Sequence, residues 1–385
     1  MTRPMLELVF ENGLILDPVE GPLPGLAMAG GRLGAPGPAA RRVDLEGFVL
    51  LPGIVDLHGD GFERHLAPRR GALRSMADGL RALDAELAAT GITTAVLAQF
   101  WSWEGGLRAP EFARALAAAL RDMAPVLRTQ MRMQLRLETH LVDDYAEVQA
   151  FLRAEGIGYV VFNDHLPHRR LAEGRRPPRL TGQALKSGRN PEAHLALMQG
   201  LHARRAEVPA RLAELAAALR AEGVLLGSHD DRSAEARAQA RALGATIAEF
   251  PETAEAARAA RAADEPVILG APNVMRGASH AGNASARDLI AEGLCDALVS
   301  DYHYPSVRAA ALLLAGGTGP ELAQAWRMVS TRPAEILGLR DRGRLVAGAR
   351  ADLTVLEAAT GQVAASFAGG TVSFLAGAFA DRLLG

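Results

Sequence analysis

The sequence carries a single cysteine, Cys295, in 385 residues. One thiol cannot close an internal disulfide or build a cysteine-based zinc site, so both are excluded. Lysine is equally scarce: of 42 basic residues, all but Lys186 are arginine. Neither sign of charge is in excess. The formal net charge of −2 gives no footprint for nucleic acid or for a membrane surface. No run of 18 or more uninterrupted apolar residues occurs, so no membrane span is expected. The first 13 residues carry charges where a secretory leader needs an apolar stretch, so no signal peptide is expected. No internal repeat recurs at a fixed period. A cytoplasmic protein is the expectation, and its oligomeric state, a homo-oligomer included, is left open.

Hydrophobic residues make up 49% of the chain, enough for one large domain and a small one. Both ends read as β. Leu6–Phe10 and Leu14–Leu16 flank Asn12-Gly13, a hairpin signal, and Phe48–Leu51 follows a stretch of Gly and Pro turns. Near the other end, 351–356, 362–367 and 371–375 are short strand-like runs between glycines. The centre alternates apolar runs with Ala/Leu/Arg/Glu-rich helical segments. The runs are Ile54–Leu57, Ile92–Ala98, Met131–Leu137, Tyr159–Phe162, Val224–Gly227, Thr246–Phe250, Val267–Gly270 and Ala297–Val299. Eight such runs predict an α/β fold with a parallel sheet, a (β/α)8 TIM-type barrel whose site lies at the C-terminal strand ends. The expected division is a β-sandwich from residues 1–52 and 341–385 around a barrel from 53–340.

Polar residues collect where those runs end. His58 and Asp60 lie two apart after Ile54–Leu57, so on a strand both aim at one side. Glu138 ends the third run, Asp164-His165 the fourth, His229-Asp230-Asp231 the fifth, and Asp301 the eighth. Imidazoles and carboxylates are ligands for a hard or borderline divalent metal, and a carboxylate such as Glu138 can bridge two of them. The metal candidates are therefore His58, Asp60, Glu138, His165, His229 and Asp301. Each alone has an ordinary alternative: a packing or capping histidine, or an aspartate N-cap, as for Asp231. Their joint placement favours the metal site. His168 and His303 fall in loops where they could face substrate, His65 is ambiguous, and His194 and His202 read as surface or packing residues of a helix.

Two segments follow the fourth and seventh runs. Arg169–Asn190 is basic, punctuated by Pro and Gly, and reads as a long loop holding Lys186. Ala271–Asn283 offers Arg276, Ser279, His280 and Asn283. Either a solvated basic loop or a cradle for phosphoryl oxygens fits the first; Arg276, His280 and Asn283 in the second, like Lys186, are candidate substrate-binding residues.

These motifs carry a family resemblance. The segment Leu51–His58, then 331–335 and 343–353, resemble the amidohydrolase superfamily. More narrowly, Asp56–Asp60, Asn163-Asp-His165, Ser228–Asp231, Gly270–Asn273 and Ser300-Asp-Tyr302 are similar to its phosphonate-metabolism members, linked to the carbon–phosphorus lyase pathway. The usual first-strand pattern of the superfamily is His-x-His. The His58-Gly-Asp60 form found here narrows the match towards the phosphonate group. The resemblance implies a metal-dependent diphosphatase acting on α-D-ribose 1-methylphosphonate 5-triphosphate, a small phosphorylated sugar, to yield the 5-phosphate and diphosphate. It implies a metal-bound hydroxide as nucleophile, Asp301 as general base, and a divalent metal cofactor, two Zn2+ with Mn2+ or Fe2+ as alternatives. The strand tally places His165 where the superfamily's usual order does not, so His165 or another group such as Glu249 completes the ligand set. The competing expectation is an amidohydrolase acting on a C–N bond of a cyclic or acylated amide.

Overall fold

The computed structural model describes residues 6–67, 75–277 and 284–385. Among these, eight parallel strands follow one another in chain order in one sheet: Ile54–Gly59, Ile92–Trp101, Gln130–Glu138, Tyr159–Asn163, Leu225–His229, Ile247–Glu249, Val267–Gly270 and Ala297–Val299. They are numbered here as barrel strands one to eight. Every expected run is a strand, and several extend a residue or two into their polar ends. The runs are near-continuously apolar because both faces are covered: all six residues of strand one and all ten of strand two are buried. Helices supply the outer cover. Met76–Ala89 starts at the Ser75 cap, whose side chain accepts from the Asp78 amide, and it buries Leu80, Leu83 and Leu87 along one stripe. No helix among the described residues is long and apolar enough to cross a membrane.

The chain divides into two compact units. The first takes in Met1–Leu97, Met123–Arg132 and Ile268–Gly385. Within it, strands one and eight meet: Gly59 bridges Asp301, the Asp60 amide donates to the Asp301 carbonyl at 2.8 Å, and the Asp301 amide donates to the His58 carbonyl at 3.0 Å. The same unit holds a β-sandwich woven from both ends of the chain. Its six-stranded sheet includes Phe48–Pro52 beside Leu353–Glu357, with Leu50 opposite Val355. Its four-stranded sheet includes Leu8–Glu11 beside Arg41–Asp44. Phe10 and Phe367 pack edge to face at 5.9 Å in the shared core.

The Asn12-Gly13 signal does not make a hairpin. Leu8–Glu11 pairs with Leu26–Ala29 and Arg41–Asp44, whereas Leu14–Asp17 pairs with Gly21–Leu23 and Phe48–Pro52 in the other sheet. Asn12 takes a positive φ of 58°, and a Cβ on Gly13 would fall 2.3 Å from that of Leu45. The pair serves a tight step between sheets, for which the same residues are suited.

The second unit takes in Ala98–Asp122 and Met133–Val267. Here the expected loop at 169–190 is mostly helical, with His168–Ala172 and Leu180–Ser187. Its punctuation works as caps: Gly188 closes the second helix at φ 70°, and the Asn190 side chain caps Pro191–Ala203. The segment after strand seven, in the first unit, likewise opens with a helix, Ala271–Arg276. The candidates His280 and Asn283 lie outside the described residues.

Candidate metal centre

In the first unit, strand one ends at Gly59, between His58 and Asp60, with His58 fully buried. Gly59 between them is required by close approach. A Cβ there would sit 2.8 Å from Ser300 Oγ and Tyr304 Cε1, and 2.9 Å from Asp56 Oδ2. Asp56 ties the strand across to the last one: its carboxylate accepts from the Ser300 amide at 3.0 Å and the Ser300 hydroxyl at 2.6 Å. Burial raises the Asp56 pKa despite those bonds. Asp301 sits at φ 53°, a strained conformation for a residue with a Cβ. Asp230 at φ 60° and Phe250 at φ 51° are strained in the same way, directly after strands five and six. Next to Asp301, the Tyr302 hydroxyl accepts from Arg276, and its carbonyl accepts from Arg64 at 3.1 Å. Tyr304 is fully buried, with a hydroxyl that has no hydrogen-bond partner among the described residues.

In the second unit the third strand organises the neighbouring strand ends. Gln134, Arg136 and Glu138 alternate along it, so all three point to one face. Gln134 donates to Glu249 Oε1 at 2.7 Å, which also accepts from the Tyr159 hydroxyl at 2.6 Å. Arg136 Nη2 lies 2.9 Å from His229 Nε2. Glu138 Oε1 pairs with His165 Nδ1 at 2.7 Å, and its Oε2 accepts from Trp103 Nε1 at 3.0 Å. His229 and Glu249 are register partners on adjacent strands. Burial would raise the Glu138 pKa, but the hydrogen bond and charge of His165 outweigh it and the pKa is lowered. For His165 burial works downward, and Glu138 outweighs it, so the pKa is raised. Burial and then the Arg136 charge push His229 down to about 4, against the opposing pull of Asp230.

This donor set fits a divalent cation. It consists of imidazoles and carboxylates without thiolate, the chemistry that borderline and harder divalent metals take. His229 passes a second check. Its depressed pKa keeps the ring neutral near pH 7, with Asp230 Oδ2 3.1 Å from Nδ1 and Arg136 Nη2 2.9 Å from Nε2, so Nε2 is turned towards positive charge.

The amidohydrolase family profile matches residues 109–375. The chain belongs to the amidohydrolase family. It is similar to the α-D-ribose 1-methylphosphonate 5-triphosphate diphosphatase of Escherichia coli strain K12, with 33% identity over 363 residues, covering 91% of this chain and 93% of that one. Its fold is that of a crystallised amidohydrolase at a TM-score of 0.62 and 16% identity, covering 97% and 100% of the two chains. A putative prolidase from Bifidobacterium longum gives a TM-score of 0.62 at 15% identity, covering 99% and 98%. The chain is thus a hydrolase-family protein with the barrel-plus-sandwich architecture.

Several supporting residues of this amidohydrolase went unread in the sequence. Arg136, Gln134, Trp103, Tyr159 and Tyr304 each touch or neighbour a strand-end acid or imidazole. A signal existed for two of them: polar residues at 134, 136 and 138 keep strand period inside an otherwise buried strand. Glu104 also lies 3.8 Å from His165 Nδ1. Asp231 serves structure, pairing with the buried Arg237 at 3.1 Å. The basic segment is partly committed internally. Arg176 pairs with Glu192, Arg175 with Glu173, and Arg189 donates to the Trp103 carbonyl at 2.8 Å. Lys186 stays exposed in the last turn of its helix. His65 pairs with Glu86, and His194 is fully buried.

Proposed function

We propose that this chain is a metal-dependent diphosphatase that hydrolyses α-D-ribose 1-methylphosphonate 5-triphosphate to the 5-phosphate and diphosphate. The observation that carries this reading is the 33% identity with the E. coli diphosphatase across 91% of the chain. In it, His58, Asp60, Glu138, His165, His229 and Asp301 are the ligands of one or two divalent metals, with Zn2+ the first expectation. Glu249, beside His229 in register, is the alternative to His165. A divalent cation bound there supplies charge neutralisation at the phosphoryl oxygens and a more acidic water. Asp301 accepts the proton of the attacking water while the anhydride P–O bond breaks and diphosphate departs. Its backbone is fixed for this by bonds to His58, Asp60 and Gly61. Arg276, at Tyr302 next to Asp301, meets the polyphosphate, with Lys186, His280 and Asn283 as further anion contacts.

Diphosphate release from that substrate by the metal-loaded protein is the test. Asp301→Asn is expected to lower the rate by about 10²–10⁴-fold, the usual worth of a positioned base. Hydrolysis of an N-acyl or cyclic amide with no diphosphate released would replace this reading with C–N bond chemistry. Metal analysis finding no divalent metal would overturn both.

A further inference from the structure

A second cluster of ligating side chains, none of them assigned to the reaction, lies entirely within the second unit. His140 lies on the turn after strand three, and Asp164 directly follows strand four. His168 opens the helix His168–Ala172, and His202 comes from the helix Pro191–Ala203. His140 Nδ1 is 3.5 Å from Asp164 Oδ1. His168 Nε2 is 2.9 Å from Asp164 Oδ2 and 3.1 Å from Oδ1. One ligand atom from each of these three residues lies within 4.8 Å of the other two. The His140 and His168 rings are 4.7 Å apart, and those of His168 and His202 5.1 Å.

The geometry points to a divalent-cation site with His140 Nδ1, one Asp164 carboxylate oxygen and His168 Nε2 as ligands and His202 as the outer partner of His168. The spacing suits it. Metal–ligand bonds of about 2.0–2.1 Å in tetrahedral geometry place ligand atoms about 3.3 Å apart, and the contacts of Asp164 with the two imidazoles bracket that value. The carboxylate is already oriented, since the Leu166 amide donates to Asp164 Oδ1 at 3.1 Å. His202 completes the arrangement. Its Nδ1 lies 2.8 Å from His168 Nδ1, where it accepts that ring's N–H and leaves the Nε2 lone pair to the cation. His140 is buried, whereas Asp164 and His168 are partly exposed, so an ion enters from solvent and keeps one open position. Two or three imidazoles with one carboxylate select Zn2+, Ni2+ or Cu2+ over Mg2+ and Ca2+. None of the four residues is a ligand in the proposed reaction.

Calorimetric titration of Zn2+ into the chelator-stripped full chain tests the site. Wild type is expected to take up one equivalent more than His168→Ala, and one more than Asp164→Asn. Both residues are partly exposed, so these variants should keep the fold where His140→Ala could lose it. His202→Ala should keep the extra equivalent but bind it about 10–100-fold more weakly, the usual effect of losing an outer partner. Equal stoichiometry and affinity in wild type and His168→Ala would overturn the inference. The outcome is separable from that of the proposed reaction. If Asp301→Asn changes the metal count and His168→Ala does not, this site fails and the reaction centre stands. The reverse pattern keeps this site and removes that one.

Discussion

Replacing Arg237 with Met is expected to destabilise the chain by about 3 kcal/mol. Arg237 is fully buried on the helix Ala234–Ala242. Its guanidinium donates to Ser228 Oγ at 2.6 Å and to Asp231 Oδ2 at 3.1 Å, and its Nε lies 3.1 Å from Glu265. It also donates to the Ala245 carbonyl. Removing one partner of a buried ion pair typically costs ~3–5 kcal/mol, because the remaining charge has lost both partner and water. The two carboxylates differ here. Glu265 keeps Arg241, whose Nε and Nη2 donate to it at 2.8 and 2.9 Å, so its charge stays compensated. Asp231 retains the Ser228 hydroxyl and, among the described residues, has no second ion-pair partner. One stranded carboxylate places the cost at the low end of the range, and Met fills most of the aliphatic volume. At roughly 2 °C per kcal/mol for a large domain, the melting temperature should fall by about 6 °C. Adding Asp231→Asn removes the stranded charge and should recover at least half of the loss. A fall below about 2 °C, or no recovery in the double variant, would refute the reasoning. The same network brackets His229, so it holds a candidate metal ligand as well as the fold.

Three more outcomes follow from the geometry. Gly59→Ala should cost about 1–3 kcal/mol, since its Cβ meets Ser300, Tyr304 and Asp56 at under 3 Å, and it should lower the metal content measured after purification. Tyr304→Phe should leave stability unchanged or raise it in chemical denaturation, because the hydroxyl it deletes is buried without a hydrogen-bond partner among the described residues. Asp17→Ala should destabilise at neutral pH by about 1–3 kcal/mol. Burial works against the Asp17 carboxylate, yet the amides of Glu20, Leu345 and Val19 and the Arg344 guanidinium lower its pKa. The folded value lies below the ordinary 3.8, so this contribution is complete above that pH and lost as pH falls through the depressed value. Urea midpoints of variant and wild type should therefore converge in acid; a gap that persists well below pH 3.8 sinks the assignment.

Much of the candidate site was legible because its residues follow strand ends. His58, Asp60, Glu138, His165, His229 and Asp301 each close or follow an apolar run, and such runs are visible without coordinates. The supports were harder to see. Trp103 reaches Glu138 across 35 positions, and Gln134 reaches Glu249 across 115, so no local pattern could pair them. Turn chemistry misled twice. Asn12-Gly13 signals a tight turn, but the signal does not say which strands the turn connects. Likewise, the Pro and Gly residues between 169 and 190 mark helix ends as readily as a loop.

Local and periodic features were sufficient for the fold class. Eight buried runs separated by helical segments admit few arrangements, and β-rich termini must pair with each other or remain as unpaired edges. They also marked candidate donors, because polar residues such as His58 and Asp60 fall at the end of a buried run. Tertiary structure alone decided which groups meet. It set Arg136 against His229, gave Glu138 to His165, and spent Asp231 on Arg237. It also gathered His140, Asp164, His168 and His202, of which His168 reads in sequence as a loop residue that could face substrate and His202 as a surface or packing residue of a helix. Those pairings depend on distances across the fold and on a burial cost that must be met by partners far away in sequence.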